Sequence, residues 1–288
     1  MRRVAVFALM LCVAALGISA TTELAFMRFF PGARYAAMGG ALTGLPAEPD
    51  TVFFSPAGLA FMKGTSLTFS HTEYYAGSRY EEASAIRQLG DSTALAISVL
   101  YLWTGTQDRR DSLGLSLGTF SPYQAVPVLS VSKGLTKDIS LGFNMKFPYE
   151  NLDGSEAFRV LYDFSALLNI LECLSFGACL VNAGTYQDLP VLVKAGLGFS
   201  SGVIKADLDA EFKNAGSPVY AFGVSVLPEE FLALMAGVCY DSGTTLNILN
   251  CFSFGVEISV SRFSLSCGMK LNYSAATTQY AALRVRLD

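Results

Sequence analysis

The chain has 288 residues, of which 52% are hydrophobic and only 15% are charged, and its formal net charge is −4. Its mean hydropathy of +0.41 is typical of proteins that span a membrane rather than of water-soluble ones. The sequence contains no basic stripe that could neutralise phosphates, so nucleic acid is not an expected partner.

Residues 1–20 are predicted to be a signal peptide. Arg2 and Arg3 form its positive start, Val4 to Leu16 is an apolar run of 13 residues, and Ala20 offers a small residue at the cleavage site. An uncleaved anchor helix is the alternative, and the shortness of the run argues against it.

Residues 21–63 are predicted to form a compact plug, or hatch. Glycine and proline recur through the segment, from Pro31 and Gly32 to Pro56 and Gly58. Such a density of breakers excludes a strand that crosses a membrane, although residues 33–38 could form a short helix. The plug is expected to insert into, or pack under, a barrel built from residues 64–288.

From residue 64 onward, apolar and polar residues alternate with a period of two. Residues 139–147 and 204–212 are clear examples, and the segments are about ten residues long, which suits strands that cross a bilayer at a tilt. A soluble β-sandwich would also alternate. A transmembrane barrel is favoured by the alternation of short turns with longer loops, by aromatic residues near both ends of the outward face, and by glycines on the polar face, where a crowded lumen facing a plug would need them. These glycines are Gly142, Gly196, Gly198, Gly223, Gly237, Gly255 and Gly268.

Fifteen strand-like segments can be counted after the plug, but single-chain bacterial barrels have an even number of strands. Counting back from the last strand makes the stretch from Thr104 to Tyr123 one outer excursion. The prediction is therefore an all-β protein, a transmembrane antiparallel β-barrel of about 14 strands, in the outer membrane of a bacterial cell and in contact with its lipid.

A set of charged residues is predicted to face the lumen. It comprises Lys205, Asp207, Asp209 and Glu211 on one face of one strand, with Arg284 and Arg286 near the closing strand as counter-charges. Two interpretations are open: a charged wall that binds the plug or a polar head group, and a solvated interior that balances its own charges. A pair between Arg34 of the plug and Asp209 or Glu211 is one specific hypothesis.

Two motifs of the plug carry a family resemblance. The run from Gly32 to Ala41, together with Ser55-Pro56-Ala57-Gly58-Leu59-Ala60, resembles the N-terminal signature of the PorV/PorQ family, which is related to FadL-type outer-membrane transporters. Asn182-Ala183-Gly184 and the run 135–138 are further matches. Ser55 stands where the family usually has Asn. The plug residues that the resemblance singles out are Gly32, Ala33, Arg34, Met38, Gly39, Gly40, Ser55, Pro56, Ala57 and Gly58.

The resemblance implies two alternative functions. A FadL-like protein would allow passive passage of small hydrophobic molecules, whereas a PorV-like protein would bind and shuttle secreted proteins in type IX secretion. Because most predicted outer loops are short and protein capture needs a large exposed area, the transporter is the preferred interpretation.

The sequence offers little for catalysis. The one histidine, His71, follows Ser70, and neighbouring strand residues point to opposite faces, so the pair cannot act together. No enzyme activity, cofactor or metal site is expected. Cys239 and Cys251 could pair across a hairpin, or could be small lumen residues.

Overall fold

The structure is a computed structural model that describes residues 32–74, 77–184, 191–213, 216–243, 252–271 and 277–287. The predicted signal peptide and residues 21–31 lie outside the described residues, as do Cys251 and therefore the Cys239–Cys251 pair. Among the described residues, no helix combines the length and apolar character that a membrane crossing requires.

Fourteen strands form the barrel in the described part of the chain. They are β1 (Thr65–Glu73), β2 (Arg79–Leu89), β3 (Thr93–Trp103), β6 (Tyr123–Gly134), β7 (Ile139–Lys146), β10 (Leu161–Leu171), β11 (Leu174–Ala183), β12 (Leu192–Ser200), β13 (Ile204–Lys213), β14 (Val219–Glu229), β15 (Leu232–Asp241), β16 (Phe252–Val260), β17 (Phe263–Lys270) and β18 (Thr278–Arg286). Each pairs antiparallel with its neighbours, and β18 pairs with β1, which closes the sheet. The predicted fold and strand number are confirmed.

Two further hairpins extend from the loop side of the barrel. The excursion from Thr104 to Tyr123 contains β4 (Gln107–Arg110) and β5 (Ser116–Phe120), which pair only with each other. The second hairpin is β8 (Tyr149–Leu152) and β9 (Ser155–Phe158). Asp153 and Gly154 both have positive φ, 54° and 82°, and form the tight two-residue turn that joins β8 to β9. The wall strand β10 starts only at residue 161, after a break at Arg159 and Val160.

Side chains of the wall strands alternate between the two faces, as the sequence pattern predicts. In β13, Leu208 and Phe212 point outward and are exposed, whereas Asp207 and Asp209 point inward and are buried. Phe199, Phe263, Tyr220 and Phe252 are also exposed on the outward face, in agreement with the aromatic residues expected near its two ends, while Tyr273 lies outside the described residues.

The plug residues from Gly32 onward pack against inward-facing side chains of the wall. They form one short helix, α1 (Ala33–Ala37), and two 3-10 helices, Pro49–Phe53 and Pro56–Phe61. Both 3-10 helices begin with proline, whose fixed φ suits the first helical position. The apolar core lies between plug and wall, where Val52, Phe54 and Leu59 are buried together with wall residues such as Leu100 and Val128.

Candidate functional site

Inward-facing glycines of the wall receive the backbone of the plug. A Cβ atom added to Gly268 would lie 2.8 Å from the carbonyl oxygen of Ala33, and one added to Gly255 would lie 2.7 Å from Cβ of Ala37. Gly142, Gly177, Gly196, Gly198, Gly223 and Gly237 likewise face plug atoms. We call these eight positions the glycine sockets. They explain why glycine occupies the polar face of so many strands.

The resemblance motif around α1 is placed at these sockets. Met38 lies against Gly223 and Gly237, and Gly39 lies against the backbone of Val238. Gly39 and Gly40 have φ values of 70° and 91°, in the left-handed region, which a residue with a Cβ adopts only with strain. Gly32, with φ of 123°, precedes α1, and its missing side chain leaves room for the Asp50 carboxylate.

The second motif is held by serine hydroxyls of the wall. The carbonyl oxygen of Ala57 accepts hydrogen bonds from Ser132 (3.0 Å) and Ser140 (2.7 Å), and its N–H donates to Ser165 Oγ at 2.9 Å. Pro56 and Gly58 belong to the same 3-10 helix. Ser55 is buried, and its hydroxyl has no hydrogen-bond partner among the described residues.

Two carboxylates of β13 bind the backbone of the plug between its helices. Asp209 accepts the Thr43 hydroxyl at 2.6 Å and the N–H groups of Thr43 and Leu42 at 3.2 and 3.3 Å. Asp207 accepts the N–H of Gly44 at 2.8 Å. Since the lone pairs of a carboxylate can take several donors, these two side chains satisfy plug N–H groups that no helix or strand pairs.

Arg34 does not pair with Asp209 or Glu211, so that hypothesis was wrong. Its guanidinium lies 2.9 Å from Glu48, within the plug, and 3.8 Å from Glu257 of the wall. Glu48 also pairs with Lys205 at 2.7 Å. The plug folds back on itself and brings Glu48 to Arg34, while the Asp209 carboxylate is already occupied by plug N–H groups. Burial acts to raise the pKa of Glu48, but Arg34 and Lys205 outweigh it and hold that pKa at about 2.

Arg284 and Arg286 of β18, the two predicted counter-charges, lie in different surroundings. Arg284 lies 3.5 Å from Asp50 of the plug, whose carboxylate also accepts the N–H of Tyr35 at 3.1 Å. Burial raises the pKa of Asp50 above its ordinary value, against the effect of Arg284. Arg286 is exposed at the turn-side end of the barrel and donates to the carbonyl oxygen of Ser261 at 3.2 Å.

Sequence reasoning missed Lys194, which is almost fully buried on the inward face of β12. Its ammonium group donates to the Tyr35 hydroxyl at 3.0 Å and lies 4.6 Å from the ring centre of Phe54. Asp209 and Glu211 follow at 3.9 and 3.8 Å. A single lysine at an inward position of an otherwise apolar strand was the available signal.

Above Lys194 lies an inner cavity of about 210 Å³, between the plug and β12–β18. Tyr35, Lys194, Glu211, Lys213 and Lys270 line it. Its charges are largely balanced, since Lys213 pairs with Asp241 at 3.2 Å and Lys194 with Glu211. Two larger clefts, of about 680 and 490 Å³, lie on the outward face near β1 and β18 and are lined mostly by apolar side chains such as Phe69, Phe254 and Leu265. Such clefts are suited to lipid acyl chains.

Ser70 and His71 point to opposite faces, as predicted. Ser70 is buried and donates to Glu82 at 2.7 Å, whereas His71 is exposed and contacts Glu81 at 2.8 Å. Within the described ranges, no group of three or more His, Cys, Asp or Glu side chains is arranged to hold a metal ion.

Comparison with known proteins identifies the fold. No protein-family model matches the chain, and no curated protein matches it. Solved structures do: the toluene transporter TodX of Pseudomonas putida has a TM-score of 0.64 at 12% identity, covering 93% of this chain and 98% of that one. A FadL homologue of Pseudomonas aeruginosa has a TM-score of 0.62 at 10% identity, with the same two coverages. CymD, a monoaromatic hydrocarbon channel, has a TM-score of 0.62 at 13% identity, covering 88% and 96%. The chain thus shares the barrel fold of FadL-type channels.

Proposed function

We propose that this protein is an outer-membrane barrel through which small hydrophobic molecules pass by diffusion. One observation carries the proposal: the lumen has an apolar strip. Ala94, Ala96, Leu100 and Leu102 occupy four of the five inward positions of β3, and all are buried. Val126 and Val128 continue the strip on β6. We define these six residues as the lumen strip.

An aqueous pore would not need such a surface. The interior of a water-filled barrel is polar, and charged or hydroxyl side chains would occupy these positions. The lumen strip extends from the turn-side end of β3 to its loop-side end with an interruption at Ser98, so an apolar solute would find favourable contact at the other four inward positions. In the structure, the two 3-10 helices of the plug cover the lumen strip.

The shared fold with channels described as carrying toluene or monoaromatic hydrocarbons supports this proposal. The resemblance of the plug motifs to PorV/PorQ proteins stays a prediction, and so does the associated binding of secreted proteins. The outer-membrane location is part of the proposal and can be tested by density fractionation of the two membranes.

The decisive experiment is uptake of radiolabelled toluene by cells that lack other channels for apolar solutes. Cells with the protein should take up toluene faster than cells with an empty vector. Leu100→Asn places an amide in the lumen strip and should slow uptake by roughly fivefold, because desolvating one polar group costs about 1 kcal/mol or more. Ala233→Asn, at a buried inward position of β15 outside the lumen strip, is the matched control and should change uptake less than about twofold. Equal uptake with and without the protein would contradict the proposal.

A further inference from the structure

The plug is held by strands on both sides of β3: Gln88 of β2 donates to the carbonyl oxygen of Ala60, Ser132 of β6 donates to that of Ala57, and Arg284 of β18 pairs with Asp50. Asp207, Asp209 and Ser253 add further hydrogen bonds, and the glycine sockets of β7, β11, β12 and β14–β17 enclose its backbone. By contrast, the structure shows no hydrogen bond between the described plug residues and β3, although both 3-10 helices of the plug lie against that strand. The contact with β3 is therefore made by apolar side chains, and it can separate without breaking a hydrogen bond.

Four hydroxyl groups interrupt the apolar surface on this side. Thr68 lies directly opposite Ser84, and Ser84 lies directly opposite Ser98, so three of them form a row across β1, β2 and β3. Ser130 of β6 lies one position away, opposite Ala96. We call these four residues the hydroxyl row. Each is at most 6% exposed, and the hydroxyl groups of Thr68, Ser98 and Ser130 have no hydrogen-bond partner in the part of the chain that the structure describes, whereas Ser84 lies within reach of Glu82.

Buried hydroxyl groups without partners are unfavourable, and native proteins satisfy nearly all of theirs. Three in one place, on and beside the strand with which the plug makes no hydrogen bond, indicate that something else supplies the missing hydrogen bonds. The neighbouring inward side chains are apolar: Ile86 follows Ser84 on β2, and Val128 is directly opposite Ser98. The row therefore combines a polar patch with apolar walls.

We propose that the hydroxyl row binds the polar end of a small neutral molecule that carries a hydroxyl group on an apolar body, such as a phenol or an alcohol. This inference rests on the proposed function and adds the substrate class. The guest hydroxyl would both donate to and accept from Thr68, Ser98 and Ser130, while its body lies on the lumen strip as the plug side chains move aside.

The charges around the row favour a neutral guest over an anion. Arg284 is directly opposite Thr68 but already faces Asp50 at 3.5 Å. Glu82, inward-facing on β2 beside Ser84, is buried and accepts the Ser70 hydroxyl at 2.7 Å. An anionic guest would meet these two carboxylates against a single guanidinium.

The test compares p-cresol with toluene, which differ by one hydroxyl group. In the same uptake assay, the ratio of p-cresol to toluene uptake by cells with the protein, each corrected for empty-vector cells, is measured for the wild type and for Ser98→Ala/Ser130→Ala. The double variant should lower this ratio by roughly fivefold, the effect of about one net hydrogen bond, through slower uptake of p-cresol. Ser225→Ala is the matched control, since Ser225 is equally buried and lacks a partner among the described residues but lies on β14. It should leave the ratio unchanged.

A second measurement does not depend on transport. Added p-cresol should raise the unfolding temperature of the purified wild-type barrel in detergent and should not raise that of the double variant. If toluene passes but the double variant keeps the wild-type ratio and the wild-type response to p-cresol, the hydroxyl row binds water only and the inference is overturned while the proposed function stands. If the wild-type protein accelerates the uptake of neither solute, the inference and the proposed function are both overturned.

Discussion

Removal of the Glu48 charge should release the plug, because Glu48 joins two cations that the structure places around it. Its carboxylate lies 2.9 Å from Arg34 and 2.7 Å from Lys205, and Arg34 and Glu48 are both almost fully buried. In Glu48→Gln, the guanidinium would remain buried with Glu257, at 3.8 Å, as its one other ion-pair partner among the described residues. Breaking a buried pair from one side typically costs 3–5 kcal/mol. We take about 3 kcal/mol, the low end, because Glu257 remains and the amide oxygen of Gln can still accept a hydrogen bond.

A loss of about 3 kcal/mol raises the population of the detached plug by about 100-fold. Hydrogen exchange of α1 reads this population directly, since the N–H groups of Ala36 and Met38 are bonded to the carbonyls of Gly32 and Arg34 at 3.0 Å. The barrel itself should stay folded, as judged by its heat-dependent migration on gels. The control is Glu81→Gln, which removes an exposed outward-facing charge and should change exchange by less than about threefold. Equal exchange rates in Glu48→Gln and the wild type would refute the reasoning.

Two other predictions concern the same plug. Gly177→Ala would drive a Cβ atom into the Thr43 carbonyl and should destabilise the barrel by about 1–3 kcal/mol in denaturant unfolding. The control is Gly202→Ala, whose Cβ atom would meet open space and which should change stability by less than about 0.5 kcal/mol. Equal effects of the two substitutions would contradict the role of the glycine socket. Because the pKa of Glu48 falls from 4.5 to about 2 on folding, its contribution is complete above about pH 4.5 and is lost as the pH falls towards 2. Hydrogen exchange of α1 should therefore accelerate over that range in the wild type more steeply than in Glu48→Gln, and parallel pH profiles would show that another group is responsible.

The barrel could be predicted from sequence because its physics is local. A strand with one face in lipid and one in the lumen must alternate apolar with polar residues, so β13 can be predicted from residues 204–213 alone. The glycines on the polar face of the strands likewise indicated the plug, because they can be recognised in each strand separately. The outer hairpin β8–β9 was harder to predict, since the Asp153-Gly154 turn marks only its tip and just two residues, Arg159 and Val160, separate it from the wall strand β10.

The interactions of the plug could not be predicted in the same way. The plug lacks a repeating pattern, and the partner of Arg34 is decided by how residues 38–48 turn, which no period reveals. Lys194 was missed because one lysine in a strand can lie in either a solvated or a buried place. Predicting the hydroxyl row would have required the strand register, since Thr68, Ser84 and Ser98 become neighbours only when β1, β2 and β3 are aligned.

The glycine sockets also constrain the order in which the molecule can be built. They lie on β7, β11, β12 and β14–β17, whereas the segment they enclose, from Ala33 to Ala57, precedes every described strand. An N-terminal segment threaded into a finished cylinder would have to carry its charged groups, Arg34, Glu48 and Asp50, through a gap that the wall does not leave. We expect the plug to be seated while the sheet is still open, so that the pairing of β18 with β1 closes the sheet around the first part of the chain.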